Sequence, residues 1–145
     1  MTPDDAHRHV TIDRIESGKF TVTNERGGTI TIGSGAAAGT GADFTPVELL
    51  MAAIGGCTGM DVDVLTSRRA EPDSFQVLVD GTKVRDDKGS HLTDIVVTFK
   101  VSFPGGEGGD KARAMLPDMV RLSHDRLCTV SRTVELGTTI TPRVG

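Results

Sequence analysis

The sequence contains no tryptophan and no tyrosine, and it has only five phenylalanines. A surface that stacks on unpaired nucleic acid bases needs several aromatic side chains, so such a surface is not expected. No segment is rich in lysine or arginine, and the formal net charge is −4. A chain with this charge is not expected to have nucleic acid or an anionic membrane as its main partner.

Long apolar runs are also absent. No uninterrupted apolar segment reaches about 18 residues, the length of a membrane-spanning helix. Residues 1–9 read as a polar N-terminal tail without the basic start and apolar middle of a signal peptide. We therefore expect a cytoplasmic protein. The length of 145 residues predicts a single domain over residues 1–145.

The apolar patterns predict an α+β fold with the element order βββ-α-ββ-α-β. Strands and helices do not alternate regularly, which argues against a doubly wound sheet. Pro117 is expected to kink or split the second helix. The predicted elements are three strands within residues 10–32, a glycine-rich loop over 33–43, a helix over 45–68, two strands within 74–103, a helix over 110–127 and a strand over 129–142.

The helix over residues 45–68 has the strongest signal. Thr45 stands at the N-cap position, Pro46 follows at the first helical position, and Glu48 completes a Thr-x-x-Glu capping box. Two further acidic residues of this helix, Asp61 and Asp63, are expected to face water.

The first half of this helix is apolar on all sides. Residues 49–57 contain almost no polar side chain, and such a helix is normally buried. Within it, Gly55 and Gly56 indicate the close approach of another element. One sheet can cover only one side of a helix, so we expect an obligate homodimer in which a second subunit covers the rest.

Two cysteines are the candidates for chemistry. In a reducing cytosol, a cysteine is more often catalytic, metal-binding or inert than part of a permanent disulfide. Cys57 is a candidate for a reactive thiolate, and Cys128 supplies a second thiol. A peroxidatic thiolate attacks the peroxide O–O bond and becomes a sulfenic acid, and a second thiol then condenses with it to a disulfide, which protects it from irreversible over-oxidation. This chemistry needs no metal and no organic cofactor. The alternative is that both side chains are small buried hydrophobes.

A zinc site is the main chemical alternative for the cysteines. The histidines at positions 7, 9, 91 and 124 form no CxxC or HxxxH arrangement with them, although His124 and Cys128 are four residues apart. We therefore expect no metal. The capping box accounts for Glu48, which is also a candidate for tuning a thiol or holding an arginine, because carboxylates with altered acidity cluster at active sites.

Two segments resemble the motifs of the OsmC/Ohr family. They are TPVELLMAAIGGCTGMDV, from Thr45 to Val62, and LSHDRLCTV, from Leu122 to Val130. The resemblance extends over nearly the whole chain. It implies an intertwined homodimer with active sites at the interface, with Cys57 as the peroxidatic thiol and Cys128 as the resolving thiol. It also implies reduction of organic hydroperoxides in oxidative stress defence, with a dithiol such as a lipoyl group as reductant.

The chain departs from the best-understood branch of that family near the start of the helix. In that branch a glutamate directly follows the helix proline and pairs with an arginine near the first hairpin. Here that position holds Val47, and Glu48 lies about 100° further around the helix. Arg14 and Arg26 are the candidates for the arginine. The departures resemble a broader OsmC-like subgroup. Two other hypotheses stay open: a non-catalytic redox-sensing or small-molecule-binding protein, and a structural dimer with buried cysteines.

Overall fold

The computed structural model describes residues 6–33 and 41–145. They fall into two compact units that divide after Leu50. The described residues form two antiparallel sheets and three α-helices, which confirms the predicted α+β class. Residues 1–5 of the predicted tail and residues 34–40 of the predicted glycine-rich loop lie outside the described residues.

The first unit contains a three-stranded meander, as predicted. It consists of β1 (Val10–Glu16), β2 (Lys19–Asn24) and β3 (Thr29–Gly33), with β2 in the middle. The turn between β2 and β3 is closed by the Asn24 side chain, whose Oδ1 accepts hydrogen bonds from the backbone of Arg26 at 3.0 Å and Gly28 at 2.9 Å. The strand β1 is exposed along its whole length.

The capping box at the start of helix α1 (Pro46–Ser67) is confirmed. The Glu48 amide donates to Thr45 Oγ1 at 3.2 Å, and the Thr45 amide donates to Glu48 Oε1 at 2.9 Å. Each side chain therefore satisfies a backbone donor of the other residue at the helix end. The hydrogen bond from the Thr45 amide lowers the pKa of Glu48, and a hydrogen bond with the Thr45 side chain lowers it further.

Burial along α1 is confined to one face of the helix within the single chain. Met60 is 72% exposed and Val64 is 56% exposed on the other side. A helix that is apolar on all sides thus has a substantial unburied surface in one subunit. The buried positions are Ile54, Gly55, Thr58, Gly59, Val62 and Thr66.

By length and composition alone, α1 could cross a membrane, because its mean hydropathy is 1.4 over an 18-residue window. The search for uninterrupted apolar runs did not find this segment, because polar residues interrupt it. Core helices pass the same test, so the hydropathy value is weak evidence for a membrane span.

In the second unit, α1 packs on a long hairpin made of β4 (Ser74–Asp86) and β5 (Gly89–Ser102). A Cβ atom on Gly55 would lie 2.5 Å from a Val79 methyl group, so the close approach expected at this glycine is confirmed. At Gly56 a Cβ atom would meet nothing within 4 Å in the single chain. The absence of a side chain at Gly55 therefore lets the helix lie against β4.

The C-terminal part differs from the prediction in two ways. Helix α2 (Glu107–Leu122) continues through Pro117 without a break, and it is followed by one π-helical turn (Ser123–Leu127). The predicted strand over residues 129–142 is wrong: Thr129–Leu136 form helix α3, which ends at Gly137 in the left-handed conformation with φ 64°. The order of described elements is therefore βββ-α-ββ-α-α, with the π turn between the last two helices.

Candidate active site

The two cysteines come together in the second unit. Both are free thiols, and each lies close enough to the other to shift its pKa. They differ in access to solvent: Cys57 is half-buried, whereas Cys128 is only 2% exposed. The arrangement thus combines one cysteine that is partly open to solvent with a second, buried one close to it.

The π turn determines where Cys128 lies. Its amide donates to the Ser123 carbonyl at 2.8 Å, which closes a ring spanning five residues in place of the usual four. Cys128 itself has extended backbone angles, φ −74° and ψ 102°, and is the N-cap residue of α3. Its sulfur accepts a hydrogen bond from the Ser131 amide at 3.4 Å. A sulfur therefore fills the N-cap role that an oxygen usually has.

The surroundings of the two thiols shift their acidities in opposite directions. Burial raises the pKa of Cys57, and the hydrogen bond to Cys128 and the nearby negative charge of Asp61 raise it further, against a lowering hydrogen bond from the Val130 amide. Burial also acts to raise the pKa of Cys128. Interactions with the Ser131 side chain, the Cys57 side chain and the backbone of Ser131 and Val130 outweigh it, so the net pKa of Cys128 is lowered.

A buried chain of hydrogen bonds fixes the π turn against α1. Thr58 Oγ1 donates to Ser123 Oγ at 2.8 Å, and Ser123 Oγ donates to Asp61 Oδ2 at 2.8 Å. Ser123 is completely buried. The expectation that Asp61 faces water is therefore wrong, because its carboxylate is half-buried and bound to Ser123, whereas Asp63 is exposed as expected.

His124 does not join Cys128 in a metal site. Its Nδ1 lies 2.9 Å from Asp125 Oδ1, and its Nε2 lies 2.8 Å from Glu135 Oε1. These two bonds, with that to Asp125 the stronger, raise the pKa of His124. Within residues 6–33 and 41–145, no group of three or more histidine, cysteine or acidic side chains is arranged to hold a metal ion.

The third predicted site residue, Glu48, belongs to the first unit and makes both of its hydrogen bonds with Thr45. Its part in capping is shown, and a further part in catalysis stays a prediction. No cationic side chain of the described second unit is among the groups that shift the pKa of either thiol. Ser123, Val130 and Ser131 are site residues that the sequence interpretation missed. The signal in the sequence was the Cys-x-x-Ser spacing, which resembles an N-cap followed by its N3 residue.

Comparison with known proteins supports the fold. An uncharacterized protein of Mycobacterium tuberculosis is 28% identical over 129 residues, which are 89% of this chain and 90% of that protein. The structure of an OsmC-like protein of unknown function from Vibrio cholerae has a TM-score of 0.73 at 17% identity, over 89% of this chain and 94% of the other.

A third similar structure is the organic hydroperoxide resistance protein OhrB of Bacillus subtilis. It has a TM-score of 0.53 at 21% identity, over 88% of this chain and 90% of the other. The sequence model described as OsmC-like protein matches residues 39–143, which is most of the chain. The chain therefore belongs to the OsmC/Ohr family of OsmC-like proteins.

Proposed function

We propose that the protein is a thiol peroxidase that reduces organic hydroperoxides through Cys57 and Cys128. The observation that carries the proposal is the proximity of a half-buried thiol and a buried one. In this chemistry the accessible sulfur takes the terminal peroxide oxygen and becomes a sulfenic acid, and the buried sulfur displaces it to form a disulfide. A family relative of the same fold, OhrB of Bacillus subtilis, is named for organic hydroperoxide resistance.

The reductant that we propose is a small dithiol such as a lipoyl group. The oxidised pair would have only the Cys57 sulfur near the surface, because Cys128 is 2% exposed. The first thiol of the reductant would attack that sulfur and form a mixed disulfide with Cys57. The second thiol of the same molecule would then break the mixed disulfide, which leaves both protein cysteines reduced and the reductant as a cyclic disulfide. We propose that this cycle serves defence against oxidative stress in the cytoplasm, where thiols are kept reduced. The cycle uses no metal and no organic cofactor.

The test is intact-mass spectrometry of the reduced protein after one equivalent of cumene hydroperoxide. We expect a rapid loss of two hydrogens per chain, and peptide mapping should place the new disulfide between Cys57 and Cys128. The control is the same treatment of protein whose thiols have first been alkylated, which should keep its mass. An unmodified protein that also keeps its mass over minutes would contradict the peroxidase proposal.

A specific observation favours a second candidate function, small-molecule binding or redox sensing without turnover. A cavity of about 350 Å³ lies beside Ser131, which contacts Cys128. Its walls are mainly aliphatic and aromatic, as in sites for apolar ligands. An unchanged mass after peroxide treatment would favour small-molecule binding. The apolar lining residues are Ile54, Ile95, Val97, Phe99, Val120 and Val134.

We also propose that the working form is a homodimer. Large apolar side chains are exposed in both units of the single chain, among them Ile12 and Ile15 on β1 and Met60 and Val64 on α1. A second copy that covered these side chains would remove the apolar surface from water. Sedimentation equilibrium is expected to give twice the chain mass of 15.3 kDa at micromolar concentration. A mass of one chain under these conditions would contradict the proposal.

A further inference from the structure

Cys128 lies at a bend in the chain between the π turn and helix α3. Its amide donates to the Ser123 carbonyl at 2.8 Å, as part of the π turn. Its sulfur accepts a hydrogen bond from the Ser131 amide at 3.4 Å, and its thiol donates to the Ser131 hydroxyl at 3.2 Å. Cys128 is thus bonded to both segments, so the angle between them determines where its sulfur lies.

Apolar packing does little to hold α3 in place within one subunit, because none of its eight residues is buried. Polar groups at its two ends must therefore fix its direction. Cys128 caps the start of the helix, and near its end Glu135 Oε1 lies 2.8 Å from His124 Nε2 on the π turn. Within the part of the chain that the structure describes, this is the only ion pair that joins α3 to another element.

The His124 ring makes two hydrogen bonds, and both are to carboxylates. Its Nδ1 lies 2.9 Å from Asp125 Oδ1, while its Nε2 faces Glu135. An ionised carboxylate only accepts hydrogen bonds, and a neutral imidazole has a single N–H to donate. The two bonds can therefore exist together only when His124 is protonated on both nitrogens. The raised pKa of His124, caused first by Asp125 and then by Glu135, agrees with this geometry.

We propose that protonated His124 is a positioning residue for Cys128. The pair formed by His124 and Glu135 spans the bend, so it holds α3 back against the π turn and keeps the Cys128 sulfur in place for disulfide formation with Cys57. Asp125 orients the ring for the bond to Glu135. The part of this inference that concerns disulfide formation rests on the proposed peroxidase function.

His124 is the titrating member of its surroundings between about pH 6 and pH 9. The charged groups beside its ring are Asp125 on the π turn, Glu135 and Arg132 on α3, and Arg121 on α2. In this range the carboxylates stay ionised and the guanidinium groups stay protonated. The side chains of α1 and β5 that line the same cavities are uncharged, namely Thr58, Ile95, Val97, Thr98 and Phe99.

The direction of the pH dependence follows from the raised pKa of His124. The stabilisation from the pair is fully present below the ordinary histidine value of about 6.5. It is lost as the pH rises through the higher value of the folded protein, because a neutral ring can keep only one of its two bonds. The effect is small, since the His124 side chain is 56% exposed and that of Glu135 is 62% exposed.

The first experiment measures hydrogen exchange of the α3 amides in the reduced protein at about pH 6, where His124 is charged. We expect His124→Ala to exchange about threefold faster than the unmodified protein, the size of one exposed ion pair. Equal exchange in the two proteins would overturn the pair as an anchor for α3. No peroxide is present, so this result does not depend on whether the protein is a peroxidase.

The second experiment measures how fast Cys128 forms a disulfide with Cys57, again without peroxide. The Cys57 thiolate attacks dithiobisnitrobenzoate, which gives a mixed disulfide and releases one nitrothiobenzoate. The Cys128 thiolate then attacks the Cys57 sulfur, the protein disulfide forms, and the second nitrothiobenzoate leaves. Two protein thiols are oxidised while one reagent disulfide is reduced to two thiols, and absorbance at each release gives the two rates.

The second release should be about threefold faster in the unmodified protein than in His124→Ala at about pH 6. At about pH 9 this ratio should fall toward 1, because His124 is then neutral. Thiolate formation accelerates the reaction in both proteins as the pH rises, so it cancels in the ratio. A ratio of 1 at the lower pH would overturn the positioning role. A ratio that is the same at both values would show a role independent of charge, which would also overturn the proposal.

Two further variants complete the test. Glu135→Gln keeps the shape of the side chain without its charge, and it should change both measurements in the same direction as His124→Ala. His91→Ala is the matched control, because His91 is also exposed and lies 3.6 Å from a carboxylate oxygen of Asp86, in the β4–β5 hairpin. It should change neither measurement. Absence of turnover with cumene hydroperoxide would instead overturn the proposed function, whereas exchange and second release decide the role of His124 without peroxide.

Discussion

Replacement of Cys57 by serine is expected to lower hydroperoxide reduction at least about a thousandfold. A serine hydroxyl is a poor nucleophile toward the O–O bond and forms no sulfenic acid. Cys128 cannot take over the attack, because this residue is only 2% exposed. The measurement is loss of cumene hydroperoxide with a dithiol as reductant, at equal concentrations of variant and unmodified protein.

The matched control is the same change at the other thiol, Cys128→Ser. Without added dithiol, this variant should consume one equivalent of peroxide to form a sulfenic acid at Cys57, which Cys128 can no longer resolve. Mass spectrometry should find sulfinic acid on Cys57 as excess peroxide is added. Multiple turnovers by Cys57→Ser would show that Cys57 is not the peroxidatic residue.

Replacement of Ser123 by alanine should have the largest effect on stability among the polar positions near the site. Its hydroxyl accepts from Thr58 and donates to Asp61, both at 2.8 Å, and it is completely buried. Its removal leaves a buried hydroxyl and a half-buried carboxylate without this partner. We expect the free energy of unfolding to fall by about 2 kcal/mol, measured by urea denaturation.

The control for this change is Ser67→Ala at the end of helix α1. The Ser67 hydroxyl makes a long hydrogen bond of 3.4 Å to the Val64 carbonyl. It should alter the free energy of unfolding by less than about 0.5 kcal/mol. A double-mutant cycle with Thr58→Val tests the chain of bonds directly. If Ser123→Ala is as stable as Ser67→Ala, the hydrogen-bond chain does not anchor the π turn.

The parts of the fold that depend on nearby residues could be predicted from the sequence. The Thr45–Glu48 capping box needs only four residues, and the structure has both of its hydrogen bonds. The meander and the long hairpin follow from alternating strands and from turns such as Asp86–Gly89, where the Lys88 amide donates to Asp86 Oδ1 at 2.8 Å. In each case, residues close in sequence supply the interactions that select the structure.

The last element could not be predicted in this way. The segment after Cys128 is rich in threonine and valine, which favour strands, and no conventional N-cap residue precedes it. The structure makes it a helix because the Cys128 sulfur accepts the Ser131 amide and Gly137 ends the helix. The glycine and the Cys-x-x-Ser spacing were visible in the sequence, but cysteine is not among the residues that usually occupy an N-cap.

The candidate site was only partly visible in the sequence. The two cysteines could be chosen because their chemistry requires a pair, and the structure brings them close together. Their order of acidity could not be predicted, because it depends on Ser131 and Val130 from α3 and on Asp61 from α1. These groups converge only in the folded chain, where burial and hydrogen bonds compete.

The π turn also restricts how the length of this chain can change over evolution. One residue deleted between Ser123 and Leu127 would allow an ordinary α-helical turn, and the following residues would rotate by about 100°. Cys128 would then turn away from Cys57, although every functional side chain would still be encoded. One residue added to the exposed turn between β4 and β5 would move no thiol. Insertions and deletions should therefore be far rarer in this five-residue segment than in that turn.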